Sequence, residues 1–168
     1  MIRYKLNDEI RKEAEDYQKK VMETNTMNHA NYTNLESDGR YFVGYLGEWA
    51  FDRFLNENQI PHKWDCKADG YSDKADFIIN NKLIDVKTSS DGGYKIMLIS
   101  AAQVNKYQKD IYVACGLRNG YIEIYGFCYH QTLVDMPTVK LKILSKKMPH
   151  EELLTIDELL PILRNRKV

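Results

Sequence analysis

The chain has 168 residues, of which 43% are hydrophobic and 29% charged, and its formal net charge is zero. That length and balance fit one domain with a full core and exclude a disordered, fibrous or repetitive protein. Zero net charge removes bulk attraction as an argument for a polyanionic partner, so a nucleic-acid ligand needs a local basic surface or a bound cation.

Residues 7–24 carry Ile10, Ala14, Tyr17 and Val21 at helical spacing, with Asn7 placed to cap, and predict an amphipathic helix. Residues 25–34 are polar and read as a loop. A second helix is expected from Ser37 to Asn58, with Val43, Leu46, Ala50, Phe54 and Leu55 on its apolar face. Gly44 and Gly47 lie inside it. Each costs about 1 kcal/mol relative to alanine, so close packing against a sheet is the expected reason for both.

A short strand is expected at 60–65, then a hairpin of 76–80 and 82–88 turning at Asn80-Asn81. Asparagine tolerates the positive φ of a two-residue type I′ turn. Beyond a loop at 89–93, Lys95–Ile99 reads as a strand and Ser100 as the cap of a short helix ending near Gln108. Asp110–Leu117 reads as a buried strand, Asn119-Gly120 as a turn and Tyr121–Tyr129 as the partner strand. Thr138–Ser145 is expected to form one edge strand, defended by the alternating charge of Lys140-Leu-Lys-Ile-Leu. The capping box Thr155-Ile-Asp-Glu158 starts a last helix, with Pro161 inside it as a local conflict. This order predicts an α/β (mixed α+β) layered domain over residues 1–168. Its core spans about 37–129, with the helix at 7–24 and the strand and helix at 138–166 as additions.

Cys66, Cys115 and Cys128 are scattered and odd in number, without CxxC spacing. That argues against a disulfide framework or a zinc site and for a reducing, cytoplasmic setting. No signal peptide is visible, and no apolar run approaches the roughly 20 residues of a membrane span. The four histidines show no metal-ligand spacing, and no phosphate-binding Gly-Lys-Ser/Thr ending follows Gly92-Gly93. Lys106, Lys109, Lys140, Lys142, Lys146 and Lys147 are candidate phosphate contacts, though surface lysines are commonly just solvated.

The hairpin carries the chemistry. With Asn80-Asn81 as the turn, Ile79 pairs with Lys82 and Asp76 falls opposite Asp85. Facing carboxylates repel across a ladder, and a divalent cation reverses that sign. Lys87 is two residues beyond Asp85 and projects from the same face. Glu48, on the helix that must pack against the sheet, supplies a third acid. Taken singly, Glu48 reads as a salt-bridged helix residue and Asp76 as a strand start. Asp85 between Ile84 and Val86 is harder to dismiss, since a buried acid is costly unless paired. Together the residues suit metal-assisted phosphodiester hydrolysis.

The pattern Glu48 … Asp76 … Asp85-Val86-Lys87 resembles the PD-(D/E)XK nuclease superfamily, with Ala75 standing where many members have proline. Gln103-Val-Asn-Lys-Tyr107 is similar to the Gln-x-x-x-Tyr motif of RecB-like and lambda-exonuclease-like members; Holliday-junction-resolvase-like members are the other branch considered. The resemblance covers about residues 40–127. It implies a restriction-endonuclease-like core, a central mixed sheet flanked by helices in α-β-β-β-α-β order. It implies Mg²⁺, replaceable by Mn²⁺, held by Glu48, Asp76, Asp85 and the Val86 carbonyl. Lys87 would position the attacking water, and Gln103 and Tyr107 would contact substrate. The implied partner is DNA, duplex or branched, cut by a homodimer or larger oligomer with no membrane involved. Two alternatives differ in class: a catalytically silent module of the same fold that binds nucleic acid or a partner protein, and a hydrolase of another phosphate ester.

Overall fold

Strand β1 (Ile2–Lys5) precedes two helices, α1 (Asp8–Asn28) and α2 (Arg40–Glu57). Then come β2 (Lys63–Trp64), β3 (Phe77–Ile79), β4 (Lys82–Ser89), β5 (Ile96–Ser100), α3 (Ala101–Lys106), β6 (Ile111–Arg118) and β7 (Tyr121–Tyr129). The chain closes with α4 (His130–Asp135), β8 (Thr138–Lys140), β9 (Leu144–Pro149), a 3₁₀ turn at His150–Glu152 and α5 (Ile156–Arg164). This computed structural model describes residues 1–28, 39–65, 75–90, 96–106, 108–141 and 144–165.

The described strands form two sheets. The larger has the order β1-β7-β6-β4-β3-β2, and the smaller is β5-β9-β8. Within the larger sheet β4 and β6 run parallel, and its other pairs are antiparallel. A parallel pair demands a crossover, and here β5 and α3 supply it. The result is a mixed sheet flanked by helices.

Local chemistry explains the main elements. The Asn7 side chain accepts a hydrogen bond from the Ile10 amide at 2.9 Å and so caps α1. Asn80 and Asn81 take φ of 48° and 63°, which closes the β3–β4 hairpin with Ile79 opposite Lys82. The Asn80 amide also donates to the Leu163 carbonyl at 2.6 Å, tying this turn to α5. Glu158 accepts from the Thr155 amide at 2.8 Å and begins α5, which continues through Pro161.

One face of the larger sheet carries the main core. Leu46, Ala50, Phe51 and Phe54 of α2 pack there with Ile84, Val86, Val113 and Ile124. Full burial of each large apolar side chain is worth about 1.5–3 kcal/mol. Gly47 permits the close approach: a Cβ at this position would lie 1.8 Å from Thr88 Oγ1. Gly44 has open space instead, so the packing reason holds for Gly47 alone. The opposite face packs Tyr112, Ala114 and Cys128 against Met97 and Ile99 of β5, Val104 of α3, Leu133 of α4 and Met148 of β9.

Four sequence readings need correction. β1 was not anticipated; it pairs with β7 as an edge strand, and four residues with only alternate burial are a weak signal. α1 continues to Asn28, past the expected end at 24. The expected strand Thr138–Ser145 is a hairpin, with β8 and β9 antiparallel and exposed Leu141 at the reversal. Lys109 is buried, and the Lys146 ammonium donates to the Val134 and Met136 carbonyls at 2.6 and 2.9 Å. Lys146 therefore caps the C-terminal end of α4, which sequence alone did not suggest.

Candidate active site

β4 alternates. Ile84, Val86 and Thr88 face α2, while Asp85 and Lys87 face the second sheet, in register with Tyr112 and Ala114 of β6. Asp85 is 7% exposed. The Lys87 ammonium lies 2.5 Å from Asp85 Oδ2. The two form an ion pair, and Lys87 is the partner that the buried Oδ2 holds.

Asp76 stands immediately before β3. The described ladder stops at Phe77 opposite Ile84, so the next pair outward is Asp76 with Asp85. The Asp76 carboxylate accepts a hydrogen bond from the Val86 amide at 2.6 Å, which anchors it across the hairpin. Glu48 comes from α2, next to Gly47. Its Oε2 accepts the indole N–H of Trp64 at 2.8 Å. Trp64 is held in turn by stacking on Phe77, with ring centroids 5.8 Å apart and planes 11° apart.

The acids sense one another. Burial and the neighbouring Asp76 charge push the Glu48 carboxyl well above the ordinary range, with Asp85 adding to the shift. Burial and Asp85 do the same to Asp76, against the opposing pull of Lys87, the Val86 amide and Lys109. Burial disfavours the Lys87 ammonium, but Asp85, Asp76 and Glu48 outweigh it and hold its pKa above the usual lysine value. Two carboxyls that resist ionisation, first because they are buried and then because they face other acids, mark a site where ionising all three acids needs more positive charge than Lys87 supplies.

Glu48, Asp76, Asp85 and Lys87 are thus brought together from α2, the start of β3 and β4. Val86 sits among them, buried, with its amide on Asp76. Gln103 is exposed on α3 and makes no hydrogen bond to this cluster among the described residues. Tyr107 lies outside the described residues. Trp64 and Tyr112 escaped sequence reading, and Lys109 was read only as a candidate phosphate contact. Trp64 orients Glu48, Lys109 acts on Asp76, and the Tyr112 phenol is pushed upward by burial and then by Asp85. No local signal marks them: Trp64 sits on a two-residue strand, and Lys109 is one lysine among many.

Carboxylate oxygens are hard donors suited to Mg²⁺ or Mn²⁺. Three acids set against one lysine ammonium fit a divalent ion once they are ionised. Among the described residues, however, no three His, Cys, Asp or Glu side chains form a ready cation cage. Each acid instead holds a protein partner: Trp64, the Val86 amide or Lys87.

Comparison with family models, with curated proteins and with solved structures gives no match in any of the three. No helix among the described residues is long and apolar enough to cross a membrane.

Proposed function

We propose that the protein is a metal-dependent nuclease of the PD-(D/E)XK type, acting on DNA in the cytoplasm, with a restriction-endonuclease-like arrangement of α2 and the strands β3, β4 and β6. The observation that carries this reading is the convergence of three acids and one lysine from separate elements into one electrostatically coupled cluster. A structural ion pair needs two such groups, and four with unbalanced charge require a further cation to be stable in ionised form.

Asp85, Asp76 and Glu48, with the Val86 carbonyl, are the groups that would hold Mg²⁺. When bound, the ion supplies Lewis-acid polarisation of the phosphate and a lower pKa for the attacking water. The protein's own residues do the rest. Asp85 keeps the Lys87 ammonium charged and pointed into the site. Lys87 then donates to the attacking water or to a phosphate oxygen as charge develops on it. Trp64 holds Glu48 by its indole N–H, and stacking on Phe77 fixes the indole. The Val86 amide restrains Asp76. Gln103 on α3 is a candidate for substrate contact, as is Tyr107 by the sequence motif alone, and a homodimer or larger oligomer would enlarge the footprint of a neutral chain on a polyanion.

One observation favours the second reading, a silent module that binds nucleic acid or protein: every acid already has an internal partner. The test is incubation with labelled single-stranded, duplex and branched DNA and with RNA, in Mg²⁺, Mn²⁺ or EDTA. Cleavage that needs the metal and disappears in Lys87→Ala supports the nuclease. Tight binding without cleavage of any form supports the silent module.

A further inference from the structure

β4, β5 and β6 line a partly open cavity of about 210 Å³ beside Lys87. Its walls include Met97 and Leu98 of β5 and Ala114 of β6, and its polar residues among those described are Lys87, Thr88, Ser89 and His150. At roughly 30 Å³ per water this is space for about seven waters. It is smaller than the about 300–1,000 Å³ of pockets that take whole drug-sized ligands. By volume it takes one nucleobase-sized group and not two.

The chemistry of the lining is specific. Ala114 and Ser89 share the Lys87 face of the sheet, because β4 alternates and Ala114 is in register with Lys87. Ser89 Oγ is buried and, among the described residues, has no hydrogen-bond partner. The atom is closed off from solvent as it stands, so the Ser89 hydroxyl reaches a ligand in the cavity only by rotating about χ1. His150 lies against Tyr125, with ring centroids 4.2 Å apart and planes at 30°. Burial lowers the His150 pKa, so the ring is neutral at pH 7 and serves as a hydrogen-bonding rather than an ionic group. Apolar walls, hydrogen-bonding groups without a full charge, and a lysine at one end describe a flat heterocycle carrying an anion.

We propose that this cavity receives one unpaired nucleobase adjoining the scissile phosphate, so that the preferred substrate is single-stranded or frayed nucleic acid rather than closed duplex. The proposal rests on the nuclease reading for the place of Lys87 at the phosphate. A paired base is held in its stack and cannot enter a pocket of one ring; an unpaired one enters at little cost. Base contacts of this kind tolerate different sequences, because every base offers a flat face and a polar edge.

Two measurements test it. The first is cleavage of a labelled single strand and of the same strand with one abasic residue beside the scissile position, by the wild type and by Ala114→Leu, which fills the cavity. The expected result is a loss of about tenfold or more in kcat/KM for the abasic strand with the wild type. Ala114→Leu is expected to lower cleavage of the intact strand to the abasic level. The second is saturation-transfer NMR with the four deoxynucleosides and no metal, which reads the cavity without phosphate and without catalysis. Binding is expected in the wild type and absent in Ala114→Leu. If Ala114→Leu does not fold by circular dichroism, the abasic comparison on the wild type alone still decides. Metal-dependent cleavage indifferent to the missing base, with no nucleoside signal, overturns the pocket and leaves the nuclease reading standing. Nucleoside binding without cleavage of any substrate overturns the nuclease reading and leaves a base-binding cavity. Neither cleavage nor nucleoside binding overturns both.

Discussion

The two faces of strand β4 do different work. Toward α2 it presents Ile84 and Val86 to a large apolar core, with Thr88 pressed against Gly47. Toward the second sheet it presents Asp85 and Lys87, beside a cavity and a buried hydroxyl without a partner. The first face is held by packing, with one buried polar atom, Thr88 Oγ1, that has no hydrogen-bond partner among the described residues. The second concentrates charge that packing cannot satisfy, and the stable α2 face holds it in place. Alternation with period two lets one short segment serve both ends at once. A charged cluster that would destabilise an isolated hairpin is kept because its other side is welded to a helix.

If that division is right, the largest loss of stability comes from the α2 face. Phe51 is fully buried, edge-on to Phe77 at 5.1 Å and stacked near Phe54 at 6.0 Å. Phe51→Ala is expected to cost about 3–5 kcal/mol in denaturant unfolding. An equal cost from Met97→Ala, on the smaller core of the other face, would erase the contrast.

The mirror-image experiment removes chemistry and leaves the fold. Lys87→Ala is expected to lower metal-dependent cleavage by about 10²–10³-fold, the usual effect of deleting one preorganised charge at a reacting phosphate. The loss should fall on kcat and leave nucleic-acid binding nearly unchanged. A variant as active as the wild type would take Lys87 out of the mechanism.

The two glycines of α2 sharpen the comparison within a single helix. Gly47→Ala puts a Cβ 1.8 Å from Thr88 Oγ1, so α2 must lift from β4. About 1–3 kcal/mol should be lost. Gly44→Ala meets nothing within 4 Å and is expected to stabilise by about 0.5–1 kcal/mol through helix propensity. Thermal melts of both variants should therefore move in opposite directions.

The smallest effect is the pH dependence of the charged face. Burial and neighbouring acids raise the Glu48 carboxyl to about 8 and the Asp76 carboxyl to about 7. The folded protein then binds more protons than the unfolded chain, so these groups contribute stability at acid pH and lose it as pH rises through 7 to 8. Lys87, raised above its usual value, keeps its charge throughout that window. The melting temperature without metal should fall by a few degrees between pH 5.5 and 8.5. Millimolar Mg²⁺ should restore most of the loss at the alkaline end, because a bound cation replaces the missing protons. A melting temperature that rises over the same range, or no response to Mg²⁺ or Mn²⁺, would put the excess negative charge elsewhere.

Much of this was written in local sequence. The period of 3.6 in Leu46, Ala50 and Phe54 and the cap at Asn7 defined helices, because helical contacts lie within one turn. Asn80-Asn81 fixed the hairpin register, and with it the nearness of Asp76 to Asp85, because a two-residue turn leaves no slack. Contacts distant in sequence were hidden. Trp64 on Glu48, Lys109 near Asp76, and the separation of β5, β8 and β9 into a second sheet each depend on which strand lies beside which. The fate of Lys146 is of the same kind, since a lysine bound to two carbonyls of α4 reads in sequence as any other surface lysine. Sequence by itself determined the residue types of the site and the hairpin that aligns two of them. Only the tertiary structure decided how α2 delivers Glu48 to that hairpin and what packs against the other face of β4, because chain reversals over tens of residues are set by burial of whole faces rather than by neighbouring side chains.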